Sequence, residues 1–275
     1  MTQPRTARAA DLAAQLAAVG PYFEILTDSP SPGQPDRTPG LRPLRELYAT
    51  GPGSVLAERI PAVAERLGTA EPRVAASILQ LGLASRLWSV ALGAAALGGT
   101  TLDLHPDRVE ALLPPQGPLL LRLPRPAADQ DSDGERRGGR PEPVTGAGPP
   151  EPPSAARLYR AVVTDNLVPL AAAVRAVAPV SEGLLWGNAA SALAGSLRVL
   201  YGWAAVRRPE AARAARRLAD DLLVLGPLAG TGTLTCAGPA AVPAFRRTSC
   251  CLYYRVGPRA GICGDCVFDA PPGRS

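Results

Sequence analysis

The sequence predicts a mainly α-helical protein: a helical scaffold with a small β element near residues 100–124 and a short, cysteine-bearing C-terminal clip. Three observations carry this reading. Hydrophobic residues make up 46% of the 275 residues but aromatics only 4%, so the core must be built mainly from Ala, Leu and Val. Alanine and leucine are strong helix formers. Apolar residues recur at helical spacing in successive windows, each bounded by Pro, Gly or a capping residue.

The windows run in order. Ala9 to Val19 repeats Leu12, Leu16 and Val19, with Asp11 in its first turn. Asp28 to Pro43 is a Pro/Gly/Ser loop. Ser54 to Leu67 places Val55, Ile60, Val63 and Leu67 on or near one face, and Pro61 should kink the helix or split it. Glu71-Pro72 opens a long helix from Arg73 to Leu97, stopped by Gly98-Gly99. Its stretch from Ile78 to Gly98 is as long as a bilayer span of about 20 residues. Arg86 near its middle, where a charge is expensive in lipid, favours a buried core helix. Leu119 to Leu123, between Gly117-Pro118 and Pro124, reads as a strand with Arg108–Leu113 as its partner. Ala155 to Ala176 is helical with an interruption at Pro169; further helices follow Ser181-Glu182-Gly183 through Trp203, and from Pro209 to Leu225.

These windows divide the chain into an N-terminal helical part with the small β element (1–124), a linker or insertion (125–153), a C-terminal helical part (154–240) and a cysteine-rich tail (241–275). Residues 125–153 are Pro, Gly, Asp, Glu and Arg with almost no large apolar side chain. Such a segment cannot bury enough surface to offset the entropy of ordering, so it is expected to be disordered.

The net charge is +5, and every basic residue except His105 is arginine. Arginine's planar fork of donors suits oxyanions. No aromatic-and-basic pattern of a nucleic-acid module is present, and no nucleic-acid partner is expected. Met1 to Gly20 lacks a basic start, apolar run and cleavage site, which gives a cytoplasmic expectation with no transmembrane span; peripheral contact at the inner face of the membrane stays open. In that compartment thiols stay reduced, and clustered cysteines read as metal ligands or redox groups. His105 precedes Pro106 in a turn, a poor setting for a catalytic base.

Four of the five cysteines crowd into the tail as Cys250-Cys251, eleven residues, then Cys263-Gly264-Asp265-Cys266. Two residues between thiols let a tight turn aim both sulfurs at one metal, eased here by Gly264. Adjacent side chains in extended backbone point in opposite directions. Cys250 and Cys251 thus suit neighbouring atoms of a larger object better than one tetrahedral ion, which favours a two-iron cluster over zinc. Structural zinc, disulfides and unligated thiols remain as alternatives. Leu252 to Val256 is expected as a strand and Gly257 to Gly261 as the turn returning the second pair. Arg246, Arg247, Arg255 and Arg259 flank the clip, where cations raise a cluster's potential and attract anions. Cys236 lies outside the pattern and reads as a small buried residue.

The run Phe245-Arg246-Arg247-Thr248-Ser249-Cys250-Cys251-Leu252-Tyr253-Tyr254-Arg255, followed by Cys263-Gly264-Asp265-Cys266, resembles the C-terminal signature of FhuF-type ferric-siderophore reductases. Val180 to Leu193 is similar to that family's central helix, and Arg86-Leu87-Trp88-Ser89 to an upstream segment. The resemblance implies a [2Fe–2S] cluster held by Cys250, Cys251, Cys263 and Cys266. It also implies one-electron reduction of an Fe(III)-siderophore to release Fe(II), with Arg246, Arg247 and Arg255 toward the substrate and an unidentified electron donor. One departure is the spacing, since the family usually has ten residues where this chain has eleven. The family also resembles a region of siderophore synthetases, but this chain has neither a P-loop nor a lysine for a nucleotide site. The competing expectations are a cluster-bearing electron carrier or redox or iron sensor without its own substrate site, and a zinc-stapled interaction module.

Overall fold

The computed structural model describes residues 5–26, 40–123, 153–236, 238, 241–257 and 260–273. The expected linker falls outside this set except for Pro153, as does Arg259.

The architecture is mainly helical. The elements are α1 (Arg5–Val19), β1 (Arg42–Pro43), α2 (Val55–Leu67), α3 (Pro72–Gly98), β2 (Glu110–Leu112), β3 (Leu120–Arg122), α4 (Ala155–Leu158), α5 (Val168–Val177), α6 (Glu182–Arg207), α7 (Pro209–Leu222), β4 (Gly232–Thr235) and β5 (Ala244–Arg247). One continuous hydrophobic cluster runs from Leu12 on α1 to Phe245 on β5.

α3 is the axis. Pro72 starts it where a missing N–H costs nothing, and Gly99 ends it in the left-handed conformation at φ 60°. It is long and apolar enough to cross a membrane, yet 72% of its most apolar window is buried inside the fold. α6 lies along it, and both helices are buried over most of their circumference. Gly93 lets α1 and the segment after it come close. A Cβ there would stand 2.6 Å from Leu16 Cδ2 and 2.8 Å from Phe23 Cδ1.

Arg86, 1% exposed, is explained by its partners. Its guanidinium donates to the carbonyls of Leu119 at 2.6 Å, Tyr22 at 2.5 Å and Glu24. Burial pulls its pKa down to about 10, so the group stays charged at neutral pH. The charge that argued against a membrane span thus ties the segment after α1 and the start of β3 to the central helix.

The small sheet is antiparallel in the order β1-β2-β3, with Ala111 opposite Leu121. The expected partner strands therefore form; β1, pairing Arg42 with Ala111, joins them. Two other expectations change. Pro61 does not split α2, which runs unbroken. The proline lies on the exposed side while Leu56, Ile60 and Val63 anchor the opposite face. At Pro169 the helical path also continues, and the disturbance moves upstream as a π-helical stretch over Tyr159–Leu167. Proline removes one donor, and wider i→i−5 bonds, such as Val168 N–H to Val163 O, accommodate the loss. Buried Asn166 completes the stretch, donating to Ala161 O at 2.7 Å and Leu104 O at 2.9 Å and accepting from Tyr48 Oη at 2.7 Å.

Arg86→Met should leave three carbonyls without their donor and destabilise the protein by about 3 kcal/mol or more. Chemical denaturation should show the midpoint falling with an unchanged slope.

Candidate functional site

The tail is carried by a β-hairpin. β4 and β5 pair antiparallel with Gly232 opposite Arg247 and Leu234 opposite Phe245. Period-two alternation sends Phe245 and Arg247 inward and Arg246 outward. The inward arginine disguised that alternation. Gly232 is required by the close approach of Phe245, whose Cζ would lie 2.3 Å from a Cβ there. The chain beyond β5 is fixed by Thr248, whose N–H donates to Thr231 O at 2.9 Å and hydroxyl to Gly230 O at 3.1 Å.

Cys250 is half-buried and Cys251 buried. The Cys251 carbonyl accepts a 2.7 Å hydrogen bond from Ser77 Oγ on α3. Asn188 on α6 donates to the same Ser77, to its hydroxyl at 3.1 Å and its carbonyl at 3.0 Å. Leu252 then takes a left-handed conformation at φ 67°, unusual for a branched side chain. The expected strand from Leu252 to Val256 therefore does not form. The chain reverses into a 3₁₀ turn over Tyr253–Arg255, and Leu252 N–H is directed back to Cys250 Sγ at 3.3 Å.

The second pair closes as a tight turn, with Cys266 N–H donating to Cys263 O at 3.2 Å and Phe268 N–H to Cys266 Sγ at 3.4 Å. Asp265 between these cysteines is 8% exposed. Its carboxylate accepts from Ser191 Oγ at 2.6 Å and pairs with Arg198, both on α6. Its carbonyl accepts from Arg247 N–H at 3.0 Å. The hook is thus clamped to α6 on one side and β5 on the other.

This brings the two cysteine pairs together. Cys251 Sγ and Cys263 Sγ stand 3.4 Å apart. Two thiolates on one tetrahedral metal lie about 3.8 Å apart when the metal–sulfur bond is about 2.3 Å. The hydrogen bond shared with Cys263 holds the Cys251 thiol down to about 7, and the same contact pushes Cys263 up. Burial raises Cys250. The charge of Arg247 favours the thiolate at Cys250, Cys251 and Cys263 alike. Among the described residues, no three Cys, His, Asp or Glu side chains converge as a cage for a single ion. Paired sulfurs suit an object that takes two ligands at each of two metal atoms.

The arginines occupy different places. Arg246 is exposed and bound to Asp269 at 2.9 Å and Val267 O at 3.0 Å. Arg255 pairs with Glu71 at 2.6 Å at the start of α3 and lies over the Tyr254 ring. Arg247 is buried, and its charge acts on the thiols of Cys250, Cys251 and Cys263. Cys236 is exposed just past the end of β4, not buried as expected, because the strand ends at Thr235 and the thiol turns to the carbonyls of Gly238 and Ala241 instead of the core. His105 lies in an exposed turn with its Nδ1 accepting from Asp107 N–H.

Residues 247–268 match the family model of the FhuF 2Fe-2S C-terminal domain. The tail is a FhuF-type iron–sulfur domain. Its cofactor is a [2Fe–2S] cluster, and the match points to a redox role. No curated protein matches the chain. The structure around the FhuF-type domain suits this cofactor by two observations beyond the sulfurs. Two nitrogens of the buried Arg247 guanidinium and the buried Ser249 hydroxyl lack hydrogen-bond partners. Buried donors of that kind call for an anionic or sulfur-rich neighbour. Sequence reasoning missed Ser77, Ser191, Arg198 and Asp265 as supports. Their signal was polar residues placed inside two otherwise apolar helices.

Asp265→Ala should release the hook from α6. The lost charge-assisted bonds correspond to about 2 kcal/mol, and limited proteolysis should show earlier cleavage after residue 257 than in the parent protein.

Proposed function

We propose that Cys250, Cys251, Cys263 and Cys266 hold the [2Fe–2S] cluster and that the protein is a ferric-siderophore reductase. The reading rests on the uneven exposure of the four cysteines in a FhuF-type domain. Cys251 and Cys266 are buried against the scaffold, while Cys250 and Cys263 are only half-covered. One edge of the site therefore faces solvent, where a bulky chelate can approach without entering a cavity.

When bound, the cluster supplies a one-electron donor. The chain's own work is to hold it and to receive the chelate. Ser77 and Asp265 fix the two cysteine loops to α3 and α6. The rims of the edge are aromatic and basic. Tyr253 and Phe268 are exposed, and Tyr254 meets Phe268 edge-to-face at 6.1 Å, joining the two loops. Glu71 is shared by Arg255 and Arg73, leaving one net positive charge beside the edge. A ferric siderophore, often anionic, meets favourable charge there. Iron(III) is held tightly by hard oxygen donors and iron(II) far more weakly, so one electron suffices for release. No general acid or nucleophile is needed. The reaction requires an electron donor, and the protein is proposed to work in the cytoplasm, at or near the inner face of the membrane.

Reduced protein, prepared anaerobically with dithionite, should be reoxidised by ferric hydroxamate or catecholate chelates faster than by unrelated acceptors of similar potential, with Fe(II) trapped by a ferrous chelator. Equal rates would make it a generic carrier. Each of Cys250→Ser, Cys251→Ser, Cys263→Ser and Cys266→Ser should lose or destabilise the visible absorbance, and Cys236→Ser should keep it. Colourless parent protein with one bound zinc would sink the assignment.

A further inference from the structure

Arg247 is 2% exposed and poorly satisfied. Only Nη2 is hydrogen-bonded, to Leu184 O at a long 3.4 Å, while Nε and Nη1 have no partner. Ser249 Oγ, two residues on, is buried and equally without one. A buried guanidinium in this condition is strongly unfavourable unless an anion meets it. The two groups are seated together by Gly187 on α6. A Cβ at that position would lie 2.2 Å from Ser249 Oγ and 3.0 Å from Arg247 Nη2. The flanking arginines differ, since Arg246 is bound by Asp269 and Arg255 by Glu71. Arg86, also deeply buried, spends its donors on three carbonyls.

We infer that Arg247 and Ser249 donate to the iron–sulfur cluster from a seat made by Gly187, and that Arg247 is the buried counter-charge that sets its reduction potential. The inference rests on the four-cysteine ligand assignment. Two ferric ions, two sulfides and four thiolates make a dianion. One electron, delivered here by dithionite, makes a trianion. A fixed buried cation stabilises the trianion more than the dianion and so raises the potential. Arg247 is a positioning and tuning residue, not a group that touches the siderophore.

Redox titration monitored by electron paramagnetic resonance tests this with Arg247→Gln, Arg247→Lys, Ser249→Ala and the surface control Arg246→Gln, each at low and high salt. Arg247→Gln should keep the cluster spectrum and titrate at a more negative potential, whereas Arg247→Lys should stay near the parent. That shift should persist in high salt, because a buried pair is little screened, while any effect of Arg246→Gln should fade. Ser249→Ala should shift in the same direction by less. An Arg247→Gln protein that is brown and titrates with the parent overturns the role of Arg247 and leaves the ligand assignment intact. A shift that vanishes in high salt overturns it too. If Arg247→Gln fails to take up the cluster, Ser249→Ala decides, and an unchanged potential there overturns the inference. Colourless parent protein would instead refute the ligand assignment itself.

Discussion

The hydroxyl of Ser77 is the point through which the tail is referenced to the scaffold. It donates to the carbonyl of Cys251 while receiving from Asn188, so one group on α3 joins the facing helix α6 and the first cysteine loop. The second loop is referenced to α6 through Asp265. Neither loop has a hydrophobic core of its own. The distance between Cys251 and Cys263 is therefore a property of the α3–α6 seam more than of the residues that link them. Small side chains along both helices, such as Ser89 and Ser196 in mutual contact at 2.9 Å, keep that seam close and its position defined.

Among the described residues two arginines are buried, and their contrast separates support from chemistry. Arg86 is surrounded by oxygen. Arg247 has one long side-chain hydrogen bond and two nitrogens without a partner. The first is complete within the polypeptide, and the second is complete only when something anionic is present. In a small-residue core with few aromatics, such a charge would have little other reason to be enclosed.

Much of the fold was legible in the sequence because long apolar helices announce themselves through periodicity and end signals. Pro72 and Gly99 bracket α3, and Leu119–Leu123 marked the strand that pairs across from Arg108–Leu113. What escaped was short-range or contradictory in pattern. Leu252 to Val256 carried strand-forming residues, but a left-handed Leu252 overrode their propensity. The β4–β5 hairpin hid because an arginine occupied its inward position. At the site, the four cysteines could be read from spacing alone. The clamp of Ser191, Arg198 and Asp265 could not, since it joins residues up to 74 apart that meet only after folding.

The polar contacts inside this scaffold end largely on main-chain oxygens. Arg86 bonds the carbonyls of Tyr22, Glu24 and Leu119; Asn166 bonds those of Leu104 and Ala161; Gln80 bonds that of Leu185; Ser77 bonds that of Cys251. Every amino acid carries that acceptor. On the receiving side of each contact, identity can drift without breaking the bond, provided the backbone keeps its path. A scaffold built this way can exchange many of its receiving side chains while holding its shape, whereas around residues 247–268 the side-chain atoms themselves must be present.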